Sequence, residues 1–412
     1  MISTNELLLI LAAIMLLGFI GEIGFRKKRI PDMLLLLLIG ILIHYAGIIP
    51  ISFMTTLRNL LSFVGTIALT LIVFGGVLKL NIEKFGGAIP RGIFIASMDI
   101  VFVMAIGTAF FYYVMNVPLM VSLFLSAMLS ETSATFIIPL MSRVRADEKL
   151  KRTIEVETIF NSVLNIIITL LVLNILNQQE SFLSLTGYLF SSISEAIILG
   201  GVVGIVWLIV LKQASTPHYY VATIAVLLGL WGVSNYLNAS AILSIFIFSV
   251  IIANSIPLSK VLKISGEVNT EQLEAFNQEI TFIVLTFFYV YIGILVNILD
   301  FKAMIIAFVI TLVLIGSRFA EIYSINAATK WFGPDASLVS SFVHRGSTVI
   351  VLIGIVLSED PALFNSYGNT VFYVVIFTIL FGSVFYSFIA RRYSTSNIPE
   401  PPKVENAEPA AK

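Results

Sequence analysis

The chain has no cysteine among its 412 residues, which excludes disulfides, thiolate chemistry and cysteine-ligated metals and leaves the redox compartment open. Histidine is scarce too. His44, His218 and His344 stand far apart, which argues against a histidine metal site. Charged residues make up only 12%, with 24 Lys plus Arg balancing 24 Asp plus Glu, so net charge points to no anionic partner such as nucleic acid. No Gly-x-x-x-x-Gly-Lys-Ser/Thr loop is present to bind a nucleotide. No nucleophile, base and orienting acid are grouped as an enzyme would need. What abounds is apolar surface: 58% of residues are hydrophobic and the mean hydropathy is +1.01. That is more than one aqueous core can bury, and a bilayer is the solvent it requires.

A hydrocarbon layer about 30 Å thick takes roughly 20 apolar residues per helix. By that ruler the sequence predicts an all-α integral membrane protein with about thirteen spans, at 5–24, 31–49, 57–78, 91–115, 118–141, 152–176, 186–210, 218–236, 239–256, 278–299, 302–330, 335–357 and 366–390. The N-terminus lacks a charged leader with a small-residue cleavage site, so the first run is expected to be a retained helix. Prolines 31, 90, 118, 217, 257, 334 and 361 mark short connections with no room for a soluble domain. The tail 391–412, with four prolines after Arg392, is expected to be disordered. Of the basic residues, all but Arg58, Lys302, Arg318 and Arg345 fall on alternate loops and the tail. Cytoplasmic loops retain Lys and Arg, so the N-terminus is expected outside and the C-terminus in the cytoplasm of a cell-membrane protein. The 32 Phe and 14 Tyr are read as lipid-facing and interfacial packing, with no cofactor implied.

A charge at the bilayer centre costs at least about 2.5 to 3.5 kcal/mol, so intramembrane ionisable groups are functional candidates. They cluster: Asp99 in the fourth span, Glu131 in the fifth, Glu155 and Glu157 in the sixth, Arg318 and Glu321 in the eleventh, His344 and Arg345 in the twelfth. Glu22 and Glu195 are expected near span ends, where they can snorkel to water. The acidic cluster Glu267, Glu271, Glu274 and Glu279 is expected on a solvated helix face before the tenth span.

Two spans are interrupted by polar residues. Ser130-Glu131-Thr132-Ser133-Ala134-Thr135 breaks the fifth and His344-Arg345-Gly346-Ser347-Thr348 breaks the twelfth. Interruptions at corresponding positions of two halves point to inverted repeats with two discontinuous helices that cross near the midplane. Their free carbonyls and amides can replace part of an ion's hydration shell where they line a cavity. The sixth span carries Glu157, Thr158, Asn161, Ser162, Asn165 and Thr169 at intervals of three and four, which puts them on one face. That face and the broken fifth span are expected to form one site.

The chain resembles the monovalent cation/proton antiporter superfamily, in particular the thirteen-helix sodium/proton exchangers. The likeness lies in Ile30-Pro31, Phe74-Gly75-Gly76-Val77-Leu78, Glu131-Thr132-Ser133-Ala134-Thr135, Glu157-Thr158-Ile159-Phe160-Asn161-Ser162, Ser317-Arg318-Phe319 and His344-Arg345-Gly346. The resemblance implies a scaffold and dimer part (1–78 and 218–299), a moving core (91–176 and 302–390), a linker helix (186–210) and a homodimer. It also implies that Glu157 pairs with Arg318. Two departures stand out: the family's principal acid, after the Asn, is Ser162 here, and a second acid, in the broken fifth helix, is Ser133.

Cation/proton exchange needs a group that holds one or the other, and a carboxylate kept away from water can do so. Hard cations prefer oxygen ligands. Na⁺ or K⁺ is therefore expected to bind transiently at Glu131, Thr132 and Ser162, with Ser133, Asn161 and Glu157 alongside and Asp99, Arg318 and Arg345 as charge partners. Each residue has a structural alternative. Glu131 can neutralise Arg345 or a helix end, Glu157 and Asp99 can serve as arginine partners, Asn161 and Ser162 can bond between helices, and His344 can simply pack. Loss of the two family acids leaves two other functions open: transport of an anion or neutral solute on the same fold, or a non-transporting sensor or assembly role.

Overall fold

A computed structural model of the chain describes residues 9, 12–21, 23, 32–47, 51–80, 82–178, 182–213, 218–263 and 268–391. The basic loop Arg26–Arg29, Ile30-Pro31, Glu22, Glu267 and the tail from Arg392 lie outside the described residues. The described residues contain helices and no strand. The principal ones are α1 (Asp32–Tyr45), α2 (Ile51–Leu78), α3 (Ile89–Ala109), α4 (Leu119–Met128), α5 (Ala134–Ser142), α6 (Glu148–Gln178), α7 (Phe182–Gln213), α8 (Tyr219–Tyr236), α9 (Ala241–Ala253), α10 (Ser255–Leu262), α11 (Thr270–Leu295), α12 (Phe301–Thr329), α13 (Ala336–Ser340), α14 (Ser347–Glu359) and α15 (Pro361–Ala390). Residues Ala12–Gly21 form a further apolar helix.

Seven helices among the described residues are long and apolar enough to cross a membrane, eight if the bent pair α9 and α10 is counted as one span. The remaining candidates include shorter apolar helices, among them α4 and α14, the halves of the interrupted spans. Burial separates the helices: 22% of the apolar window of α7 is buried, against 50% in α6. Phe190, Ile198, Val202 and Val206 of α7 are exposed, an apolar face suited to lipid, while α6 runs through the interior.

Helix α6 packs against α3, α4 and α5; α12 packs against α3 and α15; and α14 packs against α15 and α2. On the other side α11 packs against α1 and α2, and α9 against α7 and α2. The interface of α1 with α11 is built on glycine. A Cβ on Gly40 would strike the Val290 carbonyl, and one on Gly293 would strike that of Leu37. Gly75, in the Phe74-Gly75-Gly76 segment, likewise makes room for Asn277, whose Nδ2 donates to the Leu71 carbonyl at 3.1 Å.

The helix of the ninth span, α9, ends at Ala253, and the chain turns by 77° into α10. There Asn254 accepts from the Ile82 amide at 2.8 Å and donates to the Leu80 carbonyl at 3.3 Å. Glu195 sits well inside α7, half-buried, and accepts from Ser191 Oγ at 2.8 Å. Glu271, Glu274 and Glu279 belong to α11 itself, where Glu274 lies 3.9 Å from Lys79.

Candidate functional site

Both polar interruptions are real breaks, displaced slightly from their expected bounds. The first runs over 129–133, because Ala134 and Thr135 already open α5; the second runs over 341–346, because Ser347 opens α14. Serine and threonine side chains compete for local backbone groups, and here they do. Ser130 Oγ donates to the Ala127 carbonyl at 2.7 Å, and Ser341 Oγ to that of Leu338 at 2.6 Å. The face predicted on α6 satisfies what remains of the first break. Asn165 Nδ2 donates to the Ala127 carbonyl at 2.6 Å, and Asn161 Oδ1 accepts from the Thr132 amide at 2.6 Å.

The two breaks touch. The Ser133 amide donates to the His344 carbonyl at 3.0 Å, the Gly346 amide donates to Glu131 Oε2 at 2.6 Å, and Arg345 Nη1 donates to the Glu131 carbonyl. Gly346 is needed for that approach, since a Cβ there would collide with Ser133 Oγ. Glu131 thus sits at the N-terminal end of α14, where the unpaired amides favour negative charge. The Arg345 amide bonds outward to Thr378 Oγ1 of α15 at 3.3 Å.

Beside the breaks lies an ionic cluster in which every member is buried. Arg318 Nη1 is 3.0 Å from Glu321 and 3.4 Å from Asp99, and its Nη2 is 3.1 Å from Glu157. Arg345 Nη1 stands 4.0 Å from Asp99. Asp99 Oδ2 accepts from Thr132 Oγ1 at 2.7 Å and from Asn161 Nδ2 at 3.0 Å, which ties the ionic cluster to the first break. Counted together, Asp99, Glu131, Glu157 and Glu321 outnumber Arg318 and Arg345 by two charges. An uncompensated buried charge is costly, so the excess calls for protons or cations.

The structure brings together Glu131, Thr132, Ser133, Asn161, Ser162, Glu157, Asp99, Arg318 and Arg345. Ser162 is the most loosely held, its Oγ 3.5 Å from the Thr132 carbonyl. Glu155, by contrast, is half-buried and outside the cluster's contacts described above. His344 stacks on Phe136 with ring centres 5.9 Å apart and contacts Ser383 Oγ at 3.4 Å, while its carbonyl joins the breaks. Sequence reasoning counted Glu321 among the buried ionisable candidates but gave it no partner, although its place three residues after Arg318 on one helix was a usable signal. It also left Asn165 as one member of a polar stripe, when it caps the end of α4.

A model of the transmembrane domain of sodium/hydrogen exchangers matches residues 10–392. The chain belongs to that family. Two proteins of Methanocaldococcus jannaschii are similar to this exchanger-family chain. "Probable Na(+)/H(+) antiporter 2" is 25% identical over 196 residues, covering 47% of this chain and 46% of the relative. "Na(+)/H(+) antiporter 1" is 27% identical over 172 residues, covering 41% and 39%. The matched stretches therefore span less than half the length of these curated relatives. The fold extends much further. A solved structure of a sodium proton antiporter from the same organism, at pH 8, superposes with a TM-score of 0.79 at 18% identity, covering 93% of this chain and 97% of that one. The exchanger-family membership and this likeness establish a multi-pass membrane protein of that fold.

Proposed function

We propose that the chain is a secondary-active antiporter that exchanges Na⁺ or K⁺ for H⁺ across the membrane by alternating access, without nucleotide. The observation that carries this reading is the buried contact between two interrupted helices beside carboxyls that exceed their arginine partners by two. Such a site retains an appetite for small positive charges, and the two named relatives are called Na(+)/H(+) antiporters.

In this reading Glu131 is the exchanging carboxyl, with Thr132, Ser133, Asn161 and Ser162 supplying neutral oxygens for a partly dehydrated ion. Na⁺ or K⁺ rests transiently at Glu131, Thr132 and Ser162. Proton and cation compete for one carboxyl, which couples their opposite movements. Glu157 is held by Arg318 and keeps the guanidinium in place. Residues 91–176 and 302–390 move as the core against a scaffold of 1–78 and 218–299, with 186–210 as linker. The packing of α3, α6 and α12 around one ionic cluster, apart from the glycine seam of α1 with α11, supports that division. The same proposal has the N-terminus outside, the C-terminus in the cytoplasm, and a homodimer in the cell membrane.

The test is flux through purified protein in vesicles, with Na⁺, K⁺ or choline gradients and an internal pH dye. Cation-dependent proton movement is expected with Na⁺ or K⁺ and not with choline; no flux under any gradient rules out antiport. Proton-coupled flux unchanged in Glu131→Gln rules out the role given to Glu131.

A further inference from the structure

Exchange at Glu131 accounts for one of the two excess negative charges and leaves the other among Asp99, Glu157 and Glu321. Glu157 has its own arm of Arg318, at Nη2. Asp99 and Glu321 share the opposite arm: Asp99 Oδ1 lies 3.4 Å and Glu321 Oε2 3.0 Å from Nη1. One guanidinium nitrogen does not neutralise two acids. Glu321 also keeps an oxygen, Oε1, with no hydrogen-bond partner, Asp99 Oδ1 has only its 3.4 Å ion-pair contact with Nη1, and both side chains are fully buried. Buried carboxylate oxygens are normally satisfied, and two neighbouring carboxylates do not both stay ionised without a positive charge to bridge them.

We infer that Asp99 and Glu321 form a second binding site for one exchangeable positive charge, a monovalent cation or the proton that replaces it. This deepens the antiport reading and rests on it. Glu131 is a separate locus: its Oε2 is taken by the Gly346 amide. The charged groups facing the pair are Glu157 from α6, Arg318 from α12, and Arg345 from the second break with Glu131 beyond it. Asp99 reaches the breaks through Thr132 and Asn161, so a charge taken up by the pair acts on the backbone where the two interrupted helices meet. Glu321 supplies this chain with an intramembrane acid where Ser162 and Ser133 supply none.

Because acidic ligands must lose their protons to take a metal cation, binding releases protons. Full-length protein in detergent and weak buffer is titrated with NaCl or KCl, choline chloride serving as the control, and released protons are counted with an indicator dye. Wild type is expected to release protons with Na⁺ or K⁺, Glu131→Gln and Glu321→Gln about half as many each, and the double variant none. Full release from Glu321→Gln, or none from wild type, overturns the second site. Infrared difference spectra recorded with and without Na⁺ do not depend on Glu321→Gln folding. A protonated-carboxyl band that persists in Glu131→Gln and disappears with Na⁺ is expected, and its absence there overturns the site. Vesicles without flux, with proton release intact in detergent, overturn antiport and leave the pair standing. Flux with release unaffected by Glu321→Gln does the reverse.

Discussion

Where α1 meets α11, Gly40 and Gly293 let two backbones come together with nothing between them; where α3, α6 and α12 meet, three acids surround one arginine. The first contact is van der Waals packing, which is what joins helices in a solvent as apolar as their own side chains. It takes no part in the ionic equilibrium. The second depends on charges that protons or cations must complete, so its energy changes with the solution. A transporter needs both kinds of contact: one that stays the same while ions come and go, and one that does not.

The comparison is broken most forcefully by removing the arginine. Arg318→Met leaves Glu157, Glu321 and Asp99 without their shared guanidinium, and a loss of about 3 to 5 kcal/mol is expected for a broken buried ion pair. The measurement is melting of the purified protein in detergent; an unchanged melting temperature would show that these carboxyls are already neutral. Next comes the seam. Gly293→Val drives side-chain atoms into the Leu37 carbonyl, and overpacking of this kind costs about 1 to 3 kcal/mol. Melting should fall while cation-linked proton release per folded molecule stays the same, and an altered proton count would erase the distinction between the two regions.

Smaller effects sharpen the boundary of the site. Asn165→Ala removes one of several donors to the Ala127 carbonyl, and a loss of about 1 kcal/mol is expected because the Ser130 amide and hydroxyl still donate to it. Slower amide exchange near 127–133 in the variant than in wild type would contradict that role. Ser383→Ala removes a 3.4 Å contact with His344 and is expected to stay within about 0.5 kcal/mol of wild type. A large change in flux from that variant would move His344 from packing into the working site.

Much of the candidate site was legible because a bilayer penalises polar residues so heavily. Ser130-Glu131-Thr132-Ser133 and His344-Arg345-Gly346 stand out against apolar runs, and both prove to be breaks. The spacing of Glu157, Asn161 and Asn165 placed them on one face, and they bond to Arg318, Thr132 and the Ala127 carbonyl respectively. The pairing of Glu157 with Arg318 came from family resemblance, since no spacing along a chain reports which distant helices are neighbours. For the same reason Glu321 passed as one buried acid among several: its importance rests on Asp99, 222 positions earlier in the chain, arriving at the same guanidinium nitrogen. The turn at Asn254 falls at the expected end of the ninth span, but its bonding to the distant segment Leu80–Ile82 was hidden. Hydropathy had no sign of it.

By itself the sequence determined that the chain lives in a bilayer, roughly where it crosses, and where two crossings are interrupted, because transfer of each residue between water and lipid is a local cost that adds along the chain. Which oxygens face which nitrogens was decided only when the helices packed. Charge balance is a property of a volume, and α3, α6, α12 and the two breaks enclose that volume only in the folded protein.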